Sequence, residues 1–139
     1  MSLSKYRILY AEDHADTQEL VQFVLNGLNY DVVITSSCED TLSRAKGDKF
    51  DLYLIDTMLP DGSGVELCKE IREFDGATPI LFYSAMALDS EKRIALDSGA
   101  QGYLTKPATP VELSGAISKL LMRMTVVPEE CDAEVSISG

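Results

Sequence analysis

One pattern recurs five times along the 139 residues: a short apolar run, a polar turn, then a stretch of helical periodicity. The runs are residues 7–11, 32–35, 51–56, 80–84 and 102–105, with successive starts 19 to 29 residues apart. That is the spacing of successive βα units. Ile8-Leu9-Tyr10 and Leu52-Tyr53-Leu54-Ile55 are apolar throughout rather than alternating. Unbroken runs suit central parallel strands covered by helices on both faces. The expected fold is therefore α/β: a single doubly wound (βα)5 domain with a five-stranded parallel sheet in the order 2-1-3-4-5. Right-handed crossovers then put helices on both faces and every βα loop at one edge.

Between the runs, the helices show in their apolar spacing. Leu20, Val24 and Leu28 line one face of the first, with Val21 and Leu25 beside them. Leu67, Ile71 and Phe74 mark the third, and Leu113, Ile117, Leu120 and Met124 the fifth. Capping boxes are expected at Asp16…Glu19, Ser36…Glu39, Ser63…Glu66 and Thr109…Glu112, with Pro110 at the first helical position of the last. The fourth helix, near residues 90–98, has no box and only Ile94, Ala95 and Leu96 as its apolar set. It is expected to be the least firmly held. Past Met124 the periodicity stops, so the chain divides into an N-terminal extension (1–5), one folded domain (6–124) and an acidic flexible tail (125–139) that contains Pro128.

Charge narrows the function classes. Acids outnumber bases 23 to 12, for a formal net charge of −11. Four of the acids (Glu129, Glu130, Asp132, Glu134) and none of the bases lie in residues 126–139. Such a chain lacks the basic footprint of a nucleic-acid binder and is repelled by anionic lipid. No direct nucleic-acid or membrane partner is expected, and no apolar run approaches the roughly 20 residues that span a bilayer. Cys38, Cys68 and Cys131 form no CxxC pair and, with a single histidine, argue against structural zinc. Cys38 and Cys68 read as small buried fillers, in a reduced cytoplasmic compartment.

In open α/β sheets, sites form outside the carboxyl ends of the strands. The first strand delivers Glu12-Asp13 there, the third Asp56-Thr57, the fourth Ser84-Ala85 and the fifth Lys106-Pro107. In the order 2-1-3-4-5 these strands are neighbours, so three carboxylates, a hydroxyl and an ammonium converge on one crevice. Crowded carboxylates stay ionised only with a cation among them. A few hard oxygen donors, with water and substrate completing the shell, suit Mg²⁺ better than a Ca²⁺ cage. Beside Mg²⁺ and Lys106, Asp56 is a workable in-line phosphoryl acceptor.

These residues resemble the receiver domain of two-component response regulators over roughly residues 5–124. The resemblance is carried by Glu12-Asp13, by the stretch Asp56-Thr57-Met58-Leu59-Pro60-Asp61-Gly62-Ser63-Gly64, by Ser84-Ala85, and by Tyr103-Leu104-Thr105-Lys106-Pro107. It implies a phosphorylation-controlled signalling switch rather than a turnover enzyme. Asp56 would take a phosphoryl group from a phosphohistidine of a sensor histidine kinase or a histidine phosphotransfer protein. Asp13 and Asp56 would bind Mg²⁺ directly, Glu12 through water and Met58 through its backbone carbonyl. Lys106 would pair with the phosphoryl group, Ser84 would move to hydrogen-bond it, and Tyr103 would swing inward behind it. The Lys106-Pro107 bond would be cis. Output would leave through the face of the fourth helix, fifth strand and fifth helix, toward a downstream protein or a fused output domain, or a second copy of the chain. Glu12 and Ser84 depart from the commoner Asp and Thr, and Met58 puts a nonpolar side chain where many relatives have a polar one.

Other features carry less. His14 sits in a loop and is set aside as a phosphodonor, Gly62 and Gly64 read as turn formers, and Asp61 as a loop residue. Two alternatives meet obstacles. A haloacid-dehalogenase-type phosphatase needs a second Asp two residues past its nucleophile, where this chain has Met58. A flavodoxin-like FMN carrier needs a phosphate cradle where this chain has Glu12-Asp13.

Overall fold

The structure, a computed structural model, describes residues 5–125, with side chains to residue 122. The residues from 126 on, Pro128 and Cys131 among them, lie outside the described residues, as do residues 1–4 and the side chain of Met124. Ten main elements alternate: β1 (Arg7–Ala11), α1 (Ala15–Gly27), β2 (Asp31–Thr35), α2 (Cys38–Gly47), β3 (Leu52–Ile55), α3 (Gly64–Arg72), β4 (Ile80–Ser84), α4 (Asp89–Asp97), β5 (Gly102–Thr105) and α5 (Pro110–Thr125). The strands form one parallel sheet in the order β2-β1-β3-β4-β5, the doubly wound arrangement expected.

The period-two alternation of each strand splits the core between two faces. Leu9, Ala11, Tyr53, Ile55, Ile80 and Phe82 meet α2, α3 and α4 on one. On the other, Ile8, Tyr10, Leu52, Leu54, Leu81 and Tyr83 meet α1 and α5. Residues of β1 and β3 are essentially inaccessible apart from Arg7, which is why those runs needed no polar alternation.

Several helical details differ from expectation. Val21 and Leu25 form the buried face of α1, while Leu20 and Leu28 are 53% and 41% exposed. The apolar stripe is wider than the sheet surface it covers, and its flank lines a groove with Pro110 and Val111 of α5. The third helix stops at Arg72, so Phe74 lies beyond it and is exposed; Cys68 takes the buried place. Cys38 is only half-buried. The Ser63 and Thr109 caps form as read, the latter reciprocally with Glu112. Ser37, not Ser36, caps α2, its Oγ accepting from the Asp40 amide at 3.1 Å. Asp16 lies inside the first turn of α1, whose cap position is His14, because Glu12 Oε2 accepts the His14 amide and turns the chain into the helix early.

As expected, α4 is thinly packed. Only Ala95 is buried, and its start at Leu88 has no side-chain cap. Its far end is better held: the Cys68 thiol donates to the Ser98 carbonyl at 3.5 Å and Arg72 Nε to the Gly99 carbonyl at 3.0 Å. The element is anchored away from the carboxyl edge of the sheet and loose beside it.

Candidate functional site

At the carboxyl edge, the end of β1 turns Glu12 inward until it is wholly buried, its amide donating to the Thr35 carbonyl at 2.9 Å. Burying a carboxylate demands partners. Glu12 Oε1 accepts from Lys106 Nζ at 2.7 Å and from the Tyr10 hydroxyl at 3.3 Å, and Oε2 from the His14 amide at 3.2 Å. Lys106 Nζ also donates to Asp56 Oδ2 at 3.0 Å. One ammonium thus bridges two carboxylates contributed by the ends of β1 and β3.

The remaining parts surround this bridge. Asp56 is 8% exposed, and its Oδ1 accepts from the Met58 amide at 3.3 Å. Asp13, Met58 and Ser84 line, with Asp56 and Lys106, a cleft of about 430 Å³. Lys106 is held from below: its amide donates to the Ser84 carbonyl at 2.8 Å, and its ammonium lies 5.5 Å from the Tyr83 ring centroid. The Lys106-Pro107 peptide is cis. Tyr103 lies outside the cleft lining, half-buried, its hydroxyl donating to the Met86 carbonyl at 2.6 Å. Donor atoms of Glu12, Asp13 and His14 lie within 4.8 Å of one another, although the His14 side chain is mostly exposed.

Burial by itself would lower the Lys106 pKa, but the hydrogen bonds from its ammonium to Glu12 and Asp56 outweigh it and hold the pKa above the ordinary lysine value of 10.5. A raised pKa stabilises the fold fully below 10.5, and that contribution is lost as pH climbs through the folded value. Urea midpoints should therefore show no Lys106 contribution to pH dependence from neutrality to about pH 10. Above that range the wild type should lose stability faster than a Lys106→Met variant.

Sequence reading missed three contributors. Thr57 Oγ1 lies 2.5 Å from Ser84 Oγ. Asp61 is more than a loop residue: its two oxygens accept from the Cys38 and Glu39 amides at 2.7 and 3.0 Å, tying the loop after Asp56 to the start of α2. Those bonds lower the Asp61 pKa. That loop folds back on itself, Met58–Leu59 pairing antiparallel with Gly62–Ser63. Gly64 is not merely a turn former, since a Cβ there would sit 2.1 Å from the Asp56 carbonyl oxygen. No local signal marks it, because a glycine directly after a helix cap is unremarkable in sequence and only the approach of the third helix to the Asp56 backbone excludes a side chain there.

Comparison with known proteins points the same way. The family model of the response regulator receiver domain matches residues 8–118. The alkaline phosphatase synthesis transcriptional regulatory protein PhoP of Bacillus subtilis is 34% identical over 120 residues, which cover 86% of this chain and 50% of that protein. The DNA-binding response regulator MtrA of Mycobacterium tuberculosis is 30% identical, covering 99% of this chain and 61% of its own length. The chain thus spans half to about three-fifths of these relatives. The expectation of no nucleic-acid partner finds no support among them, since MtrA is a DNA-binding regulator; charge on this stretch says nothing of what a longer protein carries. Among solved structures, the receiver domain of sensor histidine kinase PA1611 from Pseudomonas aeruginosa, which has a magnesium ion coordinated in its active-site cleft, superposes with a TM-score of 0.79 at 27% identity, covering 85% of this chain and 98% of that one. Five βα units, an acid-lined cleft at their carboxyl edge and a family match over most of the described residues agree: this chain belongs to the response regulator receiver domain family, the signalling modules of two-component systems.

Proposed function

We propose that Asp56 is the phosphoacceptor of a signalling switch, taking its phosphoryl group from a phosphohistidine of a sensor histidine kinase or histidine phosphotransfer protein. The observation that carries this reading is the shared ammonium. Lys106 bridges Glu12 and Asp56 beside a cleft that Asp13 also lines, Asp13 and Glu12 having donor atoms within 4.8 Å of each other, so three carboxylates gather in a region that holds one ammonium. The deficit of two positive charges and the all-oxygen donor set fit Mg²⁺. Asp13, Asp56 and the Met58 carbonyl would hold the ion directly and Glu12 through water. When bound, the ion supplies positive charge to the oxygens of the transferring group.

The chain's own residues do the rest. Lys106 Nζ and the Met58 amide hold the two Asp56 oxygens in place, one each, and the carboxylate so oriented attacks phosphorus in line as the bond to the histidine nitrogen breaks. Lys106 then pairs with the new phosphoryl oxygens, Ser84 donates to one of them, and Tyr103 moves inward. The domain that switches is residues 6–124, followed by a tail (125–139). Output passes through the α4-β5-α5 face, toward a downstream protein, a fused output domain or a second copy; Leu88 and Leu96, one helical turn either side of the Lys92 that lies over the Tyr103 ring, are exposed there. Relatives with a DNA-binding segment make such a segment one form of that output. Self-modification and hydrolysis at Asp56 are the only chemistry, in a cytoplasmic setting; among the described residues no helix is long and apolar enough to cross a membrane.

The test is incubation with acetyl phosphate and Mg²⁺ followed by intact-mass analysis. The expected result is the mass of one phosphoryl group, absent in Asp56→Asn. A folded wild type that gains nothing, or a substituted chain that still gains it, overturns the reading.

A further inference from the structure

Ser84 is the hydroxyl proposed to leave its resting place once Asp56 is modified, so what holds it beforehand sets how easily the switch turns. Its Oγ lies 2.5 Å from Thr57 Oγ1 and accepts from the Met86 amide at 3.1 Å. The Thr57 backbone is itself tied down: its carbonyl accepts from the Gly64 amide at 2.8 Å, so the main chain that carries the hydroxyl does not travel with a departing Ser84. The Met86 carbonyl in turn accepts from the Tyr103 hydroxyl at 2.6 Å. One hydrogen-bonded path therefore runs from Thr57 through Ser84 and Met86 to Tyr103, ending beside the uncapped start of α4.

We infer that Thr57 is a positioning residue whose hydroxyl latches Ser84 in the resting state and so opposes transmission from Asp56 to Tyr103 and α4. The inference rests on the phosphoacceptor reading of Asp56 and adds to it a restraint built into the neighbouring residue. A hydroxyl bonded to Thr57 cannot hold the same geometry while reaching a group on Asp56. The resting state keeps that bond and the activated state gives it up. Removing it destabilises only the resting state, and a ligand that selects the activated state then binds more tightly.

The test uses the described domain with its tail, beryllofluoride plus Mg²⁺ as the phosphoryl probe, and the Met86 amide as the NMR reporter. Thr57→Val keeps the shape and deletes the hydroxyl; Thr57→Ser keeps the hydroxyl. Thr57→Val should bind beryllofluoride about three- to tenfold more tightly, the range of one neutral hydrogen bond. Its ligand-free Met86 signal should move from the wild-type free position toward the bound one, and Thr57→Ser should behave as wild type. Unchanged or weaker binding by a folded Thr57→Val variant overturns the latch while leaving the phosphoacceptor reading intact. A lowered thermal midpoint with unchanged affinity does the same, because it marks a structural role only. If the wild type takes up no beryllofluoride, the phosphoacceptor reading fails and the latch fails with it.

Discussion

Gly64→Ala is expected to destabilise the domain by about 3 kcal/mol, at the upper end of what one added methyl group does in a packed site. The new Cβ would lie 2.1 Å from the Asp56 carbonyl oxygen and 3.0 Å from Ile55 Cγ2. Neither neighbour can yield cheaply. The Gly64 amide is bonded to the Thr57 carbonyl and the Asp56 amide to that of Ala11, so relief requires pushing the start of α3 away from β3. That shift moves the backbone carrying Asp56 relative to Lys106. Urea denaturation should show the lost stability, and beryllofluoride affinity should fall at the same time. Gly62→Ala is the control, because its Cβ would meet only Cys38 Sγ, at an ordinary 3.5 Å. A Gly64→Ala protein within 1 kcal/mol of wild type would show that α3 is not packed against Asp56 as described.

Lys106→Met is the second large effect, about 3 kcal/mol, for a different reason. The substitution leaves the wholly buried Glu12 without its cation, and breaking a buried pair on one side typically costs about 3–5 kcal/mol. The lower end applies because Glu12 keeps the Tyr10 hydroxyl and the His14 amide, and because the Asp56 end of the bridge opens on the cleft. Neutralising the orphan should recover most of the loss, so Glu12→Gln combined with Lys106→Met is expected to be close to wild type in stability. A double-mutant cycle read by urea midpoints measures the coupling. Additive losses would mean that the Glu12–Lys106 contact contributes nothing. Function separates from stability here: the double variant should still lose tight beryllofluoride binding, since the cation facing Asp56 is gone.

Much of the site was legible before any coordinate was known. Strand ends can be read from where apolar runs stop, and in a doubly wound sheet those ends share one edge. Glu12, Asp13, Asp56, Ser84 and Lys106 follow from that rule alone, and the structure puts Asp13, Asp56, Ser84 and Lys106 around one cleft, with Glu12 bonded to its wall. Helix faces were read less well. The stripe Leu20-Val24-Leu28 and the pair Val21-Leu25 differ by one position, and periodicity cannot choose between adjacent faces of an apolar helix. The sheet chose the second. Phe74 matched the period of α3 yet fell past its end, because the helix stops at Arg72, whose guanidinium reaches across to the Gly99 carbonyl, the Asp75 carbonyl and the Gln101 side chain.

Local pattern thus determined the kind, number and order of the ten main elements, though not the short pairing of Met58–Leu59 with Gly62–Ser63, and with them which strand ends meet, since both follow from side-chain period and the handedness of crossovers. The tertiary structure alone decided that Glu12 is buried and shares an ammonium contributed 94 residues later. It alone put the Thr57 hydroxyl on Ser84, and the α-carbon of Gly64 where no side chain fits. These depend on how closely separate elements approach, to within a fraction of an ångström. Close approach is a property of the packed whole, which no periodicity within a single segment encodes.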